Sequence, residues 1–348
     1  MMKNIRDIFH DGKFTARSVI LSIALCGALF LSGWCGGIYW YQTVHESARR
    51  SQLRLYKDAS QNHFTNPLLA CYSAADSIAD TELRPFEHLV KQLIDDRVKK
   101  KYVDDVAMKF QDLNKGLTFG INDNDKFIPA SLWKVPIMIA YFKRAETDPG
   151  ILTKRLKYEN MADMDLTQNF KPLKKLEYGK AYTVDELIYR SIVYSDNNAY
   201  QLLLNNIPLA AMSTMVRDLG FMPPWLKNDP HSQLNINEYS SFFRILYNAS
   251  YLTREYSEKA LKLMSEVDFP DGIVAGLPKK VLTAQKFGER TSGGNNEVKQ
   301  LHDCGIVYYP GHPYLLCIMT KGRSFDDLAD TIKNISRAIY EEIDRQHP

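Results

Sequence analysis

The sequence predicts an α+β fold with three parts. These are an antiparallel sheet of about five strands covered by terminal helices, a separate helical lobe, and a transmembrane helix ahead of both. Two observations carry this. Beyond residue 85 the apolar periodicity runs helix, two strands, a long helical middle, three strands, helix, an order that closes one sheet between its end helices. Before residue 42 lies one uninterrupted apolar run.

The composition allows a folded core. Of 348 residues, 45% are apolar and 24% charged, which excludes disorder throughout. Net charge is +3 from 44 basic and 41 acidic residues, so nothing electrostatic points to nucleic acid as a partner. Five cysteines are too few for a disulfide scaffold, and no Cys-x-x-Cys or His-Glu-x-x-His spacing suits a metal. No Walker loop, Gly-x-Gly-x-x-Gly or Gly-x-Ser-x-Gly occurs. No cofactor or metal is expected.

Residues 1–17 form a charged tail. Ser18 to Tyr41 then carry no charge over 24 residues, enough to cross the hydrocarbon layer. Trp34, Tyr39, Trp40 and Tyr41 collect at one end, where amphipathic rings prefer the interface. A cleaved signal peptide is the alternative, but the run is long for one and lacks a small-x-small site near its end. Lys3, Arg6, Lys13 and Arg17 precede the run, and Arg49, Arg50, Arg54 and Lys57 follow it, so the flanking charges set no orientation. Residues 42–84 read as a polar stalk and 85–348 as one domain.

Within that domain, Phe86, Leu89, Val90, Leu93, Ile94 and Val98 repeat at helical spacing. Strands are expected at 102–110, 116–121, 281–286, 301–309 and 314–321, and a long amphipathic helix at 325–345. The stretch from about 130 to 268 reads as helical.

Three short motifs punctuate the domain. In Ser131-Leu-Trp-Lys134, a turn precedes the serine and an apolar helix follows. Residues three apart share a helix face, so the lysine can reach the serine hydroxyl. A serine becomes a nucleophile when a neighbouring base takes its proton, and a lysine serves once burial lowers its pKa. An N-capping serine beside a surface lysine would look the same. Ser195-Asp196-Asn197 lies between two helical runs, where capping residues are common in any case. Lys286-Phe-Gly288 ends a strand, with Gly288 leaving room for close approach.

In this order, 64 and 91 residues apart, the motifs resemble those of class A β-lactamases and their penicillin-binding relatives. The segments around 182–200, 303–310 and 315–322 resemble that family too, and the likeness spans about 86–345. It implies an active-site serine hydrolase acting on a C–N amide bond, with a β-lactam or peptidoglycan-like small molecule as substrate. It also implies roles: Ser131 as nucleophile, Lys134 as proton acceptor, and Ser195 as proton donor to the leaving nitrogen. Asn197 would hold the substrate amide, Asp196 would be a buried structural member, and Lys286 would offer charge to a substrate carboxylate. The amides of Ser131 and Glu289 would form the oxyanion hole. The envelope-facing chemistry of the family implies a single-pass membrane protein with its C-terminal domain outside the cytoplasm.

Two departures qualify the likeness. The family's Glu-x-x-Leu-Asn loop, whose glutamate activates the deacylating water, corresponds here to 221–235, which contains no glutamate. Asp229 is its one carboxylate and the candidate deacylation base, while Glu238 reads as a capping-box partner of Asn235. Phe287 stands where the family has a hydroxyl, and is expected to narrow the cleft. Slow deacylation follows. A D,D-peptidase, another amidase or esterase, and a non-catalytic cell-wall binding module are the alternatives.

Overall fold

The structure is a computed structural model that describes residues 25–27, 29, 33, 64–66, 76–219, 233–293 and 297–347. The chain divides into a first unit, residues 1–61, and a second, 62–348. The expected membrane segment lies almost wholly outside the described residues; residues 25–27, 29 and 33 of it are helical. Among the described residues no helix is long and apolar enough to cross a membrane.

The second unit is built on a five-stranded, fully antiparallel sheet. Its strands are β1 (Asp105–Asp112), β2 (Thr118–Ile121), β7 (Thr283–Ser292), β8 (Val298–Val307) and β9 (Tyr314–Gly322), in the order β2-β1-β9-β8-β7. Two short pairs lie outside it: β3 (Lys126–Phe127) with β6 (Leu234–Asn235), and β4 (Arg155–Lys157) with β5 (Ala181–Thr183). β9 is buried nearly throughout because both sheet faces are covered. Side chains alternate across a strand. Tyr314, Leu316 and Ile318 therefore join one core, while Leu315, Cys317 and Met319 join the other.

The first core lies under α1 (Asp76–Lys99) and the C-terminal helix α9 (Phe325–Gln346), which meet on the sheet through Phe86, Val90, Leu328, Ile332 and Ile335. Each fully buried Leu or Ile on this seam contributes about 1.5–3 kcal/mol. Ser324 caps α9 by accepting from the Asp327 amide. α1 begins nine residues before Pro85, the expected start. A proline favours a helix N-terminus but loses only one intrahelical bond inside it, so the helix runs on through.

The second core lies between the sheet and the helical lobe: α2 (Lys134–Ala145), α3 (Gly150–Thr153), α4 (Val184–Val193), α5 (Asn197–Asn206), α6 (Leu209–Leu219), α7 (Ile236–Tyr247) and α8 (Arg254–Ser265). The lobe is not helical throughout, as the sequence had suggested. Between α3 and α4 the chain forms β4, an irregular segment, and β5. Asn235 and Glu238 form the expected capping box of α7.

Two further contacts, one buried in the core and one at the surface of the lobe, hold the fold together. Cys304 and Cys317 face each other in the β8–β9 register and are disulfide-bonded. Phe64–Asn66 dock on the lobe, where the Glu258 carboxylate accepts from the amides of Phe64 and Thr65 and from the Thr65 hydroxyl.

Candidate active site

Ser131 sits in a short 3₁₀ helix, Ala130–Trp133, that leads directly into α2. Ala130 just before it has φ 52°, a conformation costly for a residue with a Cβ, and one often found beside functional groups. The turn places Lys134 at the start of α2, where 1% of it is exposed. Its Nζ lies 3.0 Å from Ser131 Oγ, so the spacing of three does bring the two together.

Lys134 Nζ also contacts Ser195 O at 2.6 Å, Ser195 Oγ at 3.1 Å and Asn197 Oδ1 at 2.7 Å. Ser195 is fully buried, with φ 53°, in the short turn between α4 and α5. Asp196 is also fully buried. It caps α5 by accepting from the Ala199 amide, and burial raises its carboxyl to about 6.

From the opposite wall, Lys286 of β7 reaches Ser195 Oγ at 3.0 Å and the Phe287 carbonyl at 3.1 Å. Ser131, Lys134, Ser195 and Lys286 thus form one continuous run of polar contacts across 155 residues of sequence. Lys286 has no exposed surface, so in this arrangement its Nζ serves Ser195 and not the solution. Burial lowers Lys134 to about 7, and burial first, then the neighbouring Lys134 charge, lowers Lys286 well below the usual lysine range. Each lowering favours the neutral amine, the form that can act as a base.

Gly288 explains how β7 comes this close. A Cβ there would sit 2.6 Å from Pro129 O and 3.1 Å from Leu132 N. Only a glycine lets the strand press this closely on the Ser131 turn.

Phe287 does not narrow the cleft, contrary to expectation. Strand alternation sends Lys286 and Gly288 toward the lobe and Phe287 to the other face, where it is 2% exposed. There it stacks on Phe269 at 4.1 Å between centroids and meets Phe170 edge-on. Asp229 lies outside the described residues. Among the described residues, no group of His, Cys, Asp and Glu side chains is placed to hold a metal ion.

The sequence reading missed the irregular segment 163–171, which bridges the two walls. At the lobe end, Asp165 accepts from the Asn197 amide and the Asn198 side chain, and Gln168 Nε2 donates to Ser195 O. At the sheet end, the Glu289 carboxylate accepts from the amides of Asn169 and Phe170 at 3.1 and 2.8 Å. Asp165, fully buried, and Glu289 are both held above the usual carboxyl range by burial. Partners some 30 and 120 residues distant leave no local pattern, although Asp163-Met-Asp165 was a polar cluster worth marking.

The five-stranded antiparallel sheet, its terminal helices and the serine–lysine site define a β-lactamase-like serine hydrolase fold. A profile of the β-lactamase enzyme family matches residues 88–343, and the chain belongs to that family. Solved structures share the architecture at low identity. PBP-A superposes with a TM-score of 0.61 at 19% identity, over 76% of this chain and 97% of that one. The class A β-lactamase of the last common ancestor of Gram-negative bacteria gives 0.59 at 21%, over 73% and 99%. A β-lactamase from Chitinophaga pinensis gives 0.61 at 18%, over 73% and 99%.

Proposed function

We propose that the protein is a membrane-anchored, extracytoplasmic serine hydrolase that is acylated at Ser131 by a β-lactam or a related amide and is deacylated slowly. The observation that carries this is the unbroken contact run Ser131 Oγ–Lys134 Nζ–Ser195 Oγ–Lys286 Nζ. Neutral Lys134 takes the Ser131 proton as Oγ attacks the carbonyl carbon. The amides of Ser131 and Glu289 hold the oxyanion. As the C–N bond breaks, Ser195 gives its proton to the leaving nitrogen and is reprotonated through Lys134 or Lys286. Water then hydrolyses the ester.

Three further observations support parts of this reading. A PBP-A variant of the same fold has been solved as an acyl-enzyme complex with penicillin G. Segment 221–235 contains no glutamate, and loss of a general base costs about 10²- to 10⁴-fold. The Cys304–Cys317 bridge suits an oxidising compartment, which favours the domain lying outside. The 24-residue run 18–41 would be the anchor.

The test is intact-mass spectrometry of the full chain in detergent during exposure to a fluorescent penicillin. The expected result is a stoichiometric adduct that forms in a burst and clears slowly, and is absent from Ser131→Ala. Rapid turnover without accumulation would overturn slow deacylation. No adduct and no hydrolysis would favour the binding-module alternative.

A further inference from the structure

The Ser131 turn holds a conformation that its own residues resist. Ala130 has φ 52°, and a backbone strained in this way persists only where its surroundings fix it. Gly288 gives the turn room from β7. A grip on it comes from the neighbouring strand, β8. Gln300 Oε1 accepts from the Ile128 amide at 3.1 Å, and His302 Nε2 lies 3.1 Å from the Ile128 carbonyl oxygen. The peptide groups on both sides of Ile128 are thus held. His302 stands directly opposite Gly288 in the β7–β8 register, so the strand that yields space and the strand that bonds meet the turn at one level.

The state of the His302 ring follows from its partners. The Thr320 amide of β9 lies 3.3 Å from Nδ1, and an amide N–H can only donate. Nδ1 is therefore the bare nitrogen. Nε2 carries the hydrogen and donates it to the Ile128 carbonyl, which can only accept. Burial favours the same neutral ring, lowering it to about 4. Phe127 packs edge-on against the ring at 5.6 Å between centroids, and both His302 and Gln300 are buried.

Little freedom remains between this clamp and the nucleophile. The pyrrolidine ring fixes φ of Pro129, here at −64°, so Pro129 ψ and the two Ala130 torsions alone carry the Ser131 nitrogen from the held Ile128 carbonyl. We propose that His302, as its Nε2–H tautomer, and Gln300 are positioning residues for Ser131: by gripping both peptide groups of Ile128 they hold the left-handed Ala130 turn and so aim the Ser131 Oγ and amide. The inference rests on the serine-hydrolase reading above for its chemistry, while the clamp itself is a matter of geometry. Neither side chain is among the groups that would hold substrate. Losing the clamp should slow the acylation step and leave the reversible binding before it nearly unchanged.

The test uses the full chain in detergent as wild type, His302→Leu, His302→Gln and Gln300→Leu. Ile335→Val, in the core under α1 and α9, is the control for lost stability. Time courses of fluorescent-penicillin labelling at several concentrations give the first-order acylation rate and the half-saturating concentration. His302→Leu fills space but donates nothing; it should slow acylation by about tenfold or more and move the half-saturating concentration by less than about threefold. Gln300→Leu should act in the same direction. His302→Gln, whose amide nitrogen has a similar reach to Nε2, should return to within about threefold of wild type. Ile335→Val should melt lower and label at the wild-type rate. Hydrogen exchange of the peptide spanning 127–133, read in parallel, needs no reactive serine. It should quicken in both leucine variants and return in His302→Gln. Unchanged acylation in both leucine variants, a loss that His302→Gln does not reverse, or failure of both leucine variants to fold would overturn the positioning role, and labelling of the wild type would leave the serine chemistry standing. If the wild type takes no label, exchange decides: quickening at 127–133 that glutamine reverses keeps the clamp and rejects the serine reading, and unchanged exchange rejects the clamp.

Discussion

At the scale of residues, the site depends on removing protons from lysines. Lys134 Nζ lies against four oxygens that would suit an ammonium, yet its burial brings it to about 7. Only the neutral amine can accept the Ser131 proton. Acylation should therefore be slow at acid pH, rise through about pH 7 and level off above it. The measurement is the first-order rate of Ser131 labelling across pH 5–10. A midpoint near the ordinary lysine value would mean that Lys134 is not the base. Much of this was legible in the sequence, because Ser-x-x-Lys needs only one helical turn to bring its two groups together. The roles of Phe170 and of the Glu289 carboxylate were not. Each depends on partners more than a hundred residues away, and Phe287 looked like a cleft residue until strand alternation turned it into the aromatic cluster.

At the scale of elements, β7 is the part that makes the site. It carries Lys286 toward Ser195, turns Phe287 away, and leans through Gly288 on the Ser131 turn. Gly288→Ala places a methyl group against the Pro129 carbonyl, a backbone atom that cannot rotate aside. The cost should be about 1–3 kcal/mol, with β7 pushed off the turn. If the Ser131 and Glu289 amides hold the oxyanion as proposed, acylation should fall by about tenfold or more. Thermal melting and labelling rate measured together check this; a variant that melts low but labels at the wild-type rate would show that the close approach is structural only. The five strands were readable from apolar alternation, to within a few residues at most ends. The 155–183 stretch was not, since its backbone is organised by long-range bonds to the Ser195 turn and to Glu289, not by any periodicity of its own.

At the scale of the whole molecule, the domain carries a disulfide between β8 and β9 and a clip at Phe64–Asn66 held by Glu258. With 18–41 as anchor, the proposed arrangement leaves the domain outside the membrane. Protease added to intact spheroplasts should digest it, and full protection until lysis would reverse the orientation.

The central claim is that Ser131 is the acylated nucleophile. Its most direct test is peptide mapping by mass spectrometry after a short exposure of the full chain to a fluorescent penicillin at pH 8. The account predicts one adduct, on the peptide carrying Ser131, lost in Ser131→Ala and slowed by about 10²-fold or more in Lys134→Met. An adduct on another residue, or one that persists in Ser131→Ala, would contradict it.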